Sequence, residues 1–176
     1  MKKASILLFA CISTSGILVQ AETLIGDLTL YKGQTVSSGQ IVPYSITYSV
    51  ASFNSAADTF HVESTIQYDS YVSYHSRDTL KSEMVTEEMA AEIVKNCETS
   101  EGGILETVTV KAGTFLACKK PRPDFPNLIN WYAPVPVRGV VKFIYTEGGD
   151  RVTTAELVSY SKGKPAESLL NQATHY

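Results

Sequence analysis

The sequence lacks the patterns that common enzyme classes require. It has three histidines and three cysteines in 176 residues, with no Gly-x-Ser-x-Gly, Walker loop, His-Glu-x-x-His or Cys-x-x-Cys-His. Nucleophilic catalysis needs a base beside a hydroxyl or thiol, and His61, His75 and His175 each stand outside such a pattern. Neither histidines nor carboxylates recur at the spacing of metal ligands. The sequence therefore predicts a protein that is not an enzyme and that has no metal and no cofactor.

The chain also lacks an apolar run long enough to cross a membrane, which takes about 20 residues. Its most apolar stretch, residues 4–19, is interrupted by serine, threonine and glycine at positions 13–16. A lysine pair precedes this stretch, and Val19-Gln20-Ala21 follows as a small-x-small cleavage site. We predict that residues 1–21 are a cleaved signal peptide, that the mature chain is periplasmic, and that it has no integral membrane span. Lipidation at Cys11 is the weaker alternative.

Concentrated positive charge is absent as well. The chain has 15 basic and 18 acidic residues, and removal of residues 1–21 takes away two lysines and no acid, which leaves a net charge of −5. Phosphate binding needs a concentrated basic surface, so nucleic acid is excluded as a predicted partner. The one basic cluster, Lys119-Lys120-Pro121-Arg122, is interpreted as a solvated loop.

After cleavage two cysteines remain, Cys97 and Cys118. An even count in an oxidising compartment predicts one disulfide. A redox pair is the alternative, but such pairs usually have the close Cys-x-x-Cys spacing. Because 20 residues separate the two cysteines, a structural bridge is favoured.

Period-two alternation of apolar and polar residues dominates the mature chain and predicts strands with one buried face. It is clearest in Val42 to Val50 and in Phe60 to Tyr68, which are predicted to pair across a turn at residues 54–57. Three prolines between residues 121 and 126 argue against a continuous central strand there. Further strands are predicted at Tyr71 to Ser76, Leu105 to Val110, Thr114 to Lys119, Leu128 to Tyr132, Val140 to Thr146 and Val152 to Tyr160.

One helix is predicted between Thr86 and Asn96, with Thr86 as its N-cap and two glutamates in its first turn. It would pack on the sheet and carry Cys97 at its end. The predicted organisation is one β-rich domain over residues 22–165 and a loose tail over residues 166–176.

The fold class follows from these elements. About eight or nine strands with a single short helix predict a mainly β protein with an antiparallel sheet, and one helix cannot cover the apolar face of such a sheet. The sheet must either curl into a half-barrel or barrel, or stack as two sheets, and curling is preferred.

The second half of the chain resembles a family of uncharacterised Gram-negative envelope domains, the TapB-like and related domains of unknown function. Five segments carry the resemblance: Val110-Lys111-Ala112-Gly113-Thr114-Phe115, Cys118-Lys119, Trp131-Tyr132-Ala133-Pro134, Gly139-Val140-Val141-Lys142 and Glu156-Leu157-Val158-Ser159-Tyr160. The match covers roughly residues 97–162. Such domains are similar in layout to the LolA-like lipoprotein carriers, which implies a curved antiparallel sheet around an apolar ligand or a helix and a periplasmic address. The resemblance implies no catalytic residue.

Large aromatic side chains are the remaining candidates for a site. They either fill the core with their hydroxyls at the rim, or line a groove for an acyl chain or a peptide. The segment from Trp131 to Arg138 is the candidate gate, because prolines stiffen it and two aromatics anchor it. The candidate groove or gate residues are Trp131, Tyr132, Pro134, Pro136, Tyr44, Tyr48 and Tyr68.

Two functional hypotheses result. The first is a non-enzymatic exported binding or carrier protein that holds an apolar or lipid-like ligand in a curled sheet. The second is a structural or interaction protein of the cell envelope with a fully packed core. The discriminating observation is whether the interior contains an apolar cavity larger than a few waters.

Overall fold

A computed structural model describes residues 25–163. The predicted signal peptide and the predicted loose tail lie outside the described residues. Nine strands form one antiparallel sheet in the order β4-β3-β2-β1-β9-β8-β7-β6-β5. The strands are β1 Leu28–Ser37, β2 Gln40–Asn54, β3 Thr59–Tyr68, β4 Val72–Leu80, β5 Ile104–Val110, β6 Gly113–Arg122, β7 Phe125–Tyr132, β8 Val140–Thr146 and β9 Val152–Ser161, and the helix α1 is Glu87–Lys95.

The sheet is strongly curved but open, as the sequence predicts for a half-barrel. Strand β5 forms one edge of the sheet, four strands away from β9. The Ala112 amide, in the turn after β5, nevertheless donates to the Leu157 carbonyl of β9 at 3.2 Å. This contact requires the sheet to curl over itself between β9 and β5. The mainly β fold with one short helix is therefore confirmed.

Strand β1 is absent from the predicted strands, yet it lies at the centre of the sheet. It pairs with β2 over its whole length and with β9 on its other side. Thr29 and Tyr31 of this strand are fully buried, but the strand begins soon after the predicted signal peptide and carries a glycine and a lysine in its middle. Through β1, the first part of the chain joins the last strand of the sheet.

The turn predicted at residues 54–57 is confirmed. The side chain of Asn54 accepts hydrogen bonds from the amides of Ala56 and Ala57, at 3.1 and 3.3 Å, which is an Asx-type turn. The turns before β6 and β9 contain glycines at positive φ, Gly113 at 143° and Gly149 at 86°. These local signals fix the strand boundaries and the register of the hairpins.

The expected break around the prolines at 121–126 is confirmed, because residues 123 and 124 form a turn between β6 and β7, but both strands run further into this segment than predicted. Strand β6 continues through Pro121 to Arg122, and β7 begins at Phe125 with Pro126 inside it. The prolines are tolerated because they lie at the closed end of the hairpin, where the register shifts between Pro121 and Arg122 and few ladder hydrogen bonds are needed. The basic cluster at 119–122 is consequently part of a strand and not a solvated loop.

Helix α1 begins as predicted. The hydroxyl of Thr86 accepts a hydrogen bond from the Met89 amide at 3.1 Å, which satisfies one of the free amides of the first turn. The helix leads to Cys97, whose sulfur lies at disulfide bonding distance from that of Cys118, with the two Cα atoms 5.5 Å apart. Tyr132 and Val140 bury the pair from the sheet side. The helix end is thereby attached to β6.

Candidate functional site

Two adjoining clefts open on the inner side of the curled sheet. The larger cleft has a volume of about 490 Å³, within the range of about 300 to 1,000 Å³ that ligand sites occupy. The smaller cleft measures about 360 Å³. The larger cleft is lined mainly by aromatic and aliphatic side chains: Tyr44, Ile46, Tyr48, Ile66, Tyr68, Phe125, Leu128, Phe143 and Tyr145.

Four residues line both clefts: Tyr48, Arg122, Asn130 and Arg138. They belong to β2, β6, β7 and the β7–β8 loop. The two clefts therefore meet at a junction formed by strands that are far apart in the sheet, and the curl of the sheet is what brings these strands together.

Tyr44 shows how the sequence places the aromatic side chains that line the larger cleft. Its neighbour in β1 is Gly33, which in turn pairs with Ala155 of β9. Because Gly33 has no side chain, the Tyr44 hydroxyl reaches across β1 and donates to the Thr154 carbonyl at 3.1 Å. Burial raises the pKa of Tyr44 well above its usual range. On the other side Tyr44 packs against Tyr68 of β3, with ring centroids 5.9 Å apart.

Tyr31 packs behind Tyr48 and Phe143, which line the larger cleft. It is 1 % exposed, and its hydroxyl donates to the Val140 carbonyl at 2.7 Å. Its ring meets the ring of Tyr48 edge-on at 6.0 Å and that of Phe143 at 6.3 Å. Burial raises the pKa of Tyr31 to about 12, and Arg138 acts in the opposite direction. Tyr31 is therefore a neutral hydrogen-bond donor at physiological pH.

Arg138 is held at the junction by a buried loop. The loop closes where the Ala133 amide donates to the Gly139 carbonyl, and again where the Arg138 amide donates to the Pro136 carbonyl, both at 2.9 Å. Val137 has a φ of +68°, which is strained for a β-branched residue. Such strain persists only where the surroundings enforce it, and Val137 is itself buried.

The guanidinium of Arg138 lies over the ring of Tyr48, 4.7 Å from its centroid, and donates to the Tyr48 hydroxyl at 2.7 Å. The guanidinium of Arg122 lies 5.0 Å from the centroid of the Phe125 ring. Within residues 25–163, neither arginine forms an ion pair with a carboxylate. Both are half-buried, and both line the two clefts.

The structure separates the predicted groove residues into two groups. Tyr44, Tyr48 and Tyr68 line the larger cleft, and Tyr132 lines the smaller one.

The other three predicted residues do not line either cleft. Trp131 is 4 % exposed and donates its indole N–H to Glu106, beneath the ammonium groups of Lys119 and Lys142. Pro134 is exposed and Pro136 is buried. The segment predicted as a gate thus places its aromatics in β7, and its contribution to the clefts comes from Tyr132, Val137 and Arg138.

The histidines do not assemble a catalytic triad with the residues that the structure describes. His61 contacts the carboxylate of Asp78 at 2.7 Å, and His75 contacts the hydroxyl of Ser73 at 2.8 Å. Each histidine thus has one of the two partners that a triad requires. His175 lies outside the described residues.

The arginines are the site residues that sequence reasoning missed. Arg77, Arg122, Arg138 and Arg151 are the four arginines of the chain, and every one of them lines a cleft. Consecutive arginines differ by 13 to 45 in residue number, so no local sequence pattern marks them. The residue type itself, arginine and not lysine, was the available signal in the sequence. Only the fold shows that the four arginines share a surface.

Two further properties concern residues 25–163 as a whole. They contain no group of three or more histidine, cysteine, aspartate or glutamate side chains placed to hold a metal ion. In the same range, no helix has the length and apolarity needed to cross a membrane.

No known protein family and no curated protein matches the chain, so the resemblance to the TapB-like and LolA-like families is not confirmed. Two solved structures are similar to it. The first is a candidate exported protein with a YmcC-like fold from Bacteroides fragilis, 13 % identical, with a TM-score of 0.47, over 80 % of this chain and 98 % of that one. The second is a candidate lipoprotein from Parabacteroides distasonis, 14 % identical, with a TM-score of 0.42, over 80 % of this chain and 97 % of that one.

Proposed function

We propose that the chain is an exported, non-enzymatic binding or carrier protein that holds an amphipathic, lipid-like ligand on the inner side of its curled sheet, in the periplasm. The observation that carries this proposal is the larger cleft, with its volume of about 490 Å³ and its nine aromatic and aliphatic side chains. A structural protein with a fully packed core has no need of such a space, because interiors normally pack to crystal density.

The apolar lining suits a hydrocarbon chain. Tyrosine rings provide apolar area with little conformational entropy to lose, and their hydroxyls remain hydrated at the rim or bonded to the backbone. Tyr44 and Tyr31 already direct their hydroxyls to carbonyls, so their ring faces are left for packing. The signal peptide predicted at residues 1–21 supports export, since it would deliver the mature chain across the inner membrane.

Native mass spectrometry of protein isolated from the bacterial envelope without detergent tests the proposal. We expect a mass excess that organic solvent releases as lipid or a related amphiphile. The substitution Ile66→Trp should fill the larger cleft and abolish the excess. The matched control is Leu116→Trp, because Leu116 is exposed on β6 and lines neither cleft. A ligand-free native protein that also fails to take up an added acyl chain would refute the proposal.

The alternative, an interaction protein of the envelope, is supported by the edge strand β4. Edge strands present unpaired backbone groups to partners, and β4 exposes Val72, Tyr74 and Leu80, with Tyr74 77 % exposed. A photo-crosslinking residue at position 74 would then capture one envelope protein in cells. The same residue at Thr114, exposed on β6, would not. Capture at both positions, or at neither, argues against this alternative.

A further inference from the structure

The distribution of charge in the clefts differs from that of the chain. The mature chain is predicted to carry a net charge of −5, whereas the two clefts together are lined by four arginines and two glutamates, Glu83 and Glu147. The formal charge of the cleft lining is therefore +2. None of the lysines among residues 25–163 lines either cleft.

The choice of arginine is chemically specific. The guanidinium is planar, always charged, and presents a fixed fork of donors that matches carboxylate and phosphate oxygens. A lysine would supply the same charge, but its ammonium is more strongly hydrated and costs more to dehydrate. The segregation of all arginines to the clefts and of the lysines to other surfaces indicates anion recognition, since general solubility would place both types outside.

Two of the four arginines have the geometry for this task. Arg151 is paired with Glu147 at 3.0 Å, and Arg77 is exposed and donates to Thr79 at 3.2 Å. Arg122 and Arg138 are half-buried, stand against aromatic rings, and form no ion pair within residues 25–163. A cation in a partly desolvated position without an acid is costly unless a ligand supplies the negative charge.

We propose that Arg122 and Arg138 bind the anionic head group, a carboxylate or a phosphate, of an amphiphile whose hydrocarbon chain lies in the larger cleft. Both arginines stand where the two clefts meet, so a head group at the junction leaves the chain free to enter the aromatic side. The hydrogen-bonded loop that enforces the positive φ of Val137 keeps the Arg138 backbone in place and limits the ordering that the ligand must bring about. The inference rests on the proposed function and specifies the class of ligand.

A pair of fluorescent probes tests the head group separately from the chain. The probes are 11-(dansylamino)undecanoic acid and its methyl ester, which differ in the charge of the head group, titrated into the mature protein at neutral pH. We expect the acid to bind at least about tenfold more tightly than the ester, because a charge-assisted hydrogen bond is worth about 1.5 to 3 kcal/mol. In Arg122→Gln/Arg138→Gln the acid should fall to the affinity of the ester, and the ester should be unaffected. Each single substitution should give part of the loss.

The control is Lys111→Gln, which removes one charge from an exposed turn outside the clefts. It should leave the preference for the acid intact. Circular dichroism establishes that each variant is folded.

Three results overturn the inference in distinct ways. If the wild-type protein binds acid and ester equally, the head-group proposal fails while the proposed function stands. If the double variant keeps the preference for the acid, other residues recognise the anion. If neither probe binds, the proposed function itself fails.

Competition separates the two sources of a phosphate. Dodecyl phosphate should displace the acid probe, and inorganic phosphate at the same concentration should not. Equal displacement by inorganic phosphate would show a site for free anions and would contradict the amphiphile.

Discussion

The two halves of the sheet differ in what they contribute. Strands β1–β4 provide half of the six aromatic side chains that line the larger cleft, namely Tyr44, Tyr48 and Tyr68. The part from α1 to β9 provides the helix, the cysteine pair and three of the four arginines. The halves meet where β1 pairs with β9.

This comparison teaches that the two halves support the clefts in different ways. In the outer strand β4, Thr79 is the single buried residue of nine, whereas the segment from Asn130 to Val141 is buried almost throughout. The second half therefore holds its arginine side chains on a buried framework, and the first half forms the opposite side of the clefts. Substitutions in the two halves should separate stability from binding.

The largest expected effect comes from the cysteine pair, which anchors the second half. Replacing both residues, Cys97→Ala/Cys118→Ala, should lower the free energy of unfolding by about 3 kcal/mol, because the bridge restricts the unfolded chain. Urea unfolding measures this loss, and reduction of the wild-type protein should reproduce it. Thiol labelling of denatured, unreduced protein should find neither cysteine reactive; two labelled thiols would contradict the predicted bridge.

Gly33 tests the junction between the halves. A Cβ at this position would lie 2.8 Å from the Cα of Ala155 and would overlap the Thr154 carbonyl, so Gly33→Ala should cost about 2 kcal/mol of stability through overpacking. It should also displace Tyr44 and weaken binding of the acid probe. The control is Gly148→Ala, since a Cβ there meets nothing within 4 Å. Equal unfolding midpoints for the two variants would show that the close approach of β1 and β9 is not required.

The buried Tyr31 should make the stability of the protein sensitive to alkali. Burial raises the pKa of Tyr31 to about 12, above the usual value of about 10. The folded state thus keeps a proton that the unfolded state loses. The stability contribution is complete below pH 10 and falls by about 1.4 kcal/mol per pH unit as the pH rises towards 12.

Urea unfolding of the wild-type protein and of Tyr31→Phe across this range measures the effect. The variant is expected to be less stable at neutral pH, because the Val140 carbonyl loses its donor, but its stability should decline less steeply above pH 10. Parallel declines in the two proteins would mean that the pKa of Tyr31 is not raised.

The smallest effect is expected at the helix cap in the second half. Thr86→Ala removes the acceptor of the Met89 amide and should cost about 1 kcal/mol. Thr86→Ser keeps the hydroxyl and should restore most of that loss. The acid probe should bind both variants normally, because Thr86 lines neither cleft; weakened binding would place the helix in the recognition surface.

Much of the fold could be predicted from local sequence. Asn54, Thr86 and Gly113 act on their own neighbours through turn and cap hydrogen bonds or through backbone freedom, and each does in the structure what its residue type favours. The prolines near residue 121 indicated the break between β6 and β7 correctly but misled the prediction of the strand ends, because the cost of a proline depends on its position in the ladder. At the end of a hairpin they replace few hydrogen bonds, and the sequence does not show where that end lies.

The candidate site, too, could be predicted from the sequence only in part. The sequence by itself determined that the chain makes an antiparallel sheet with many tyrosines, because alternation and aromatic content are local properties. Only the tertiary structure decided which tyrosines line a cleft, that Trp131 is buried beside Glu106, and that four scattered arginines share one surface. The reason is physical: the pairing of β1 with β9 and the curl of the sheet join residues more than 100 positions apart, and such proximity arises from long-range packing that no short segment encodes.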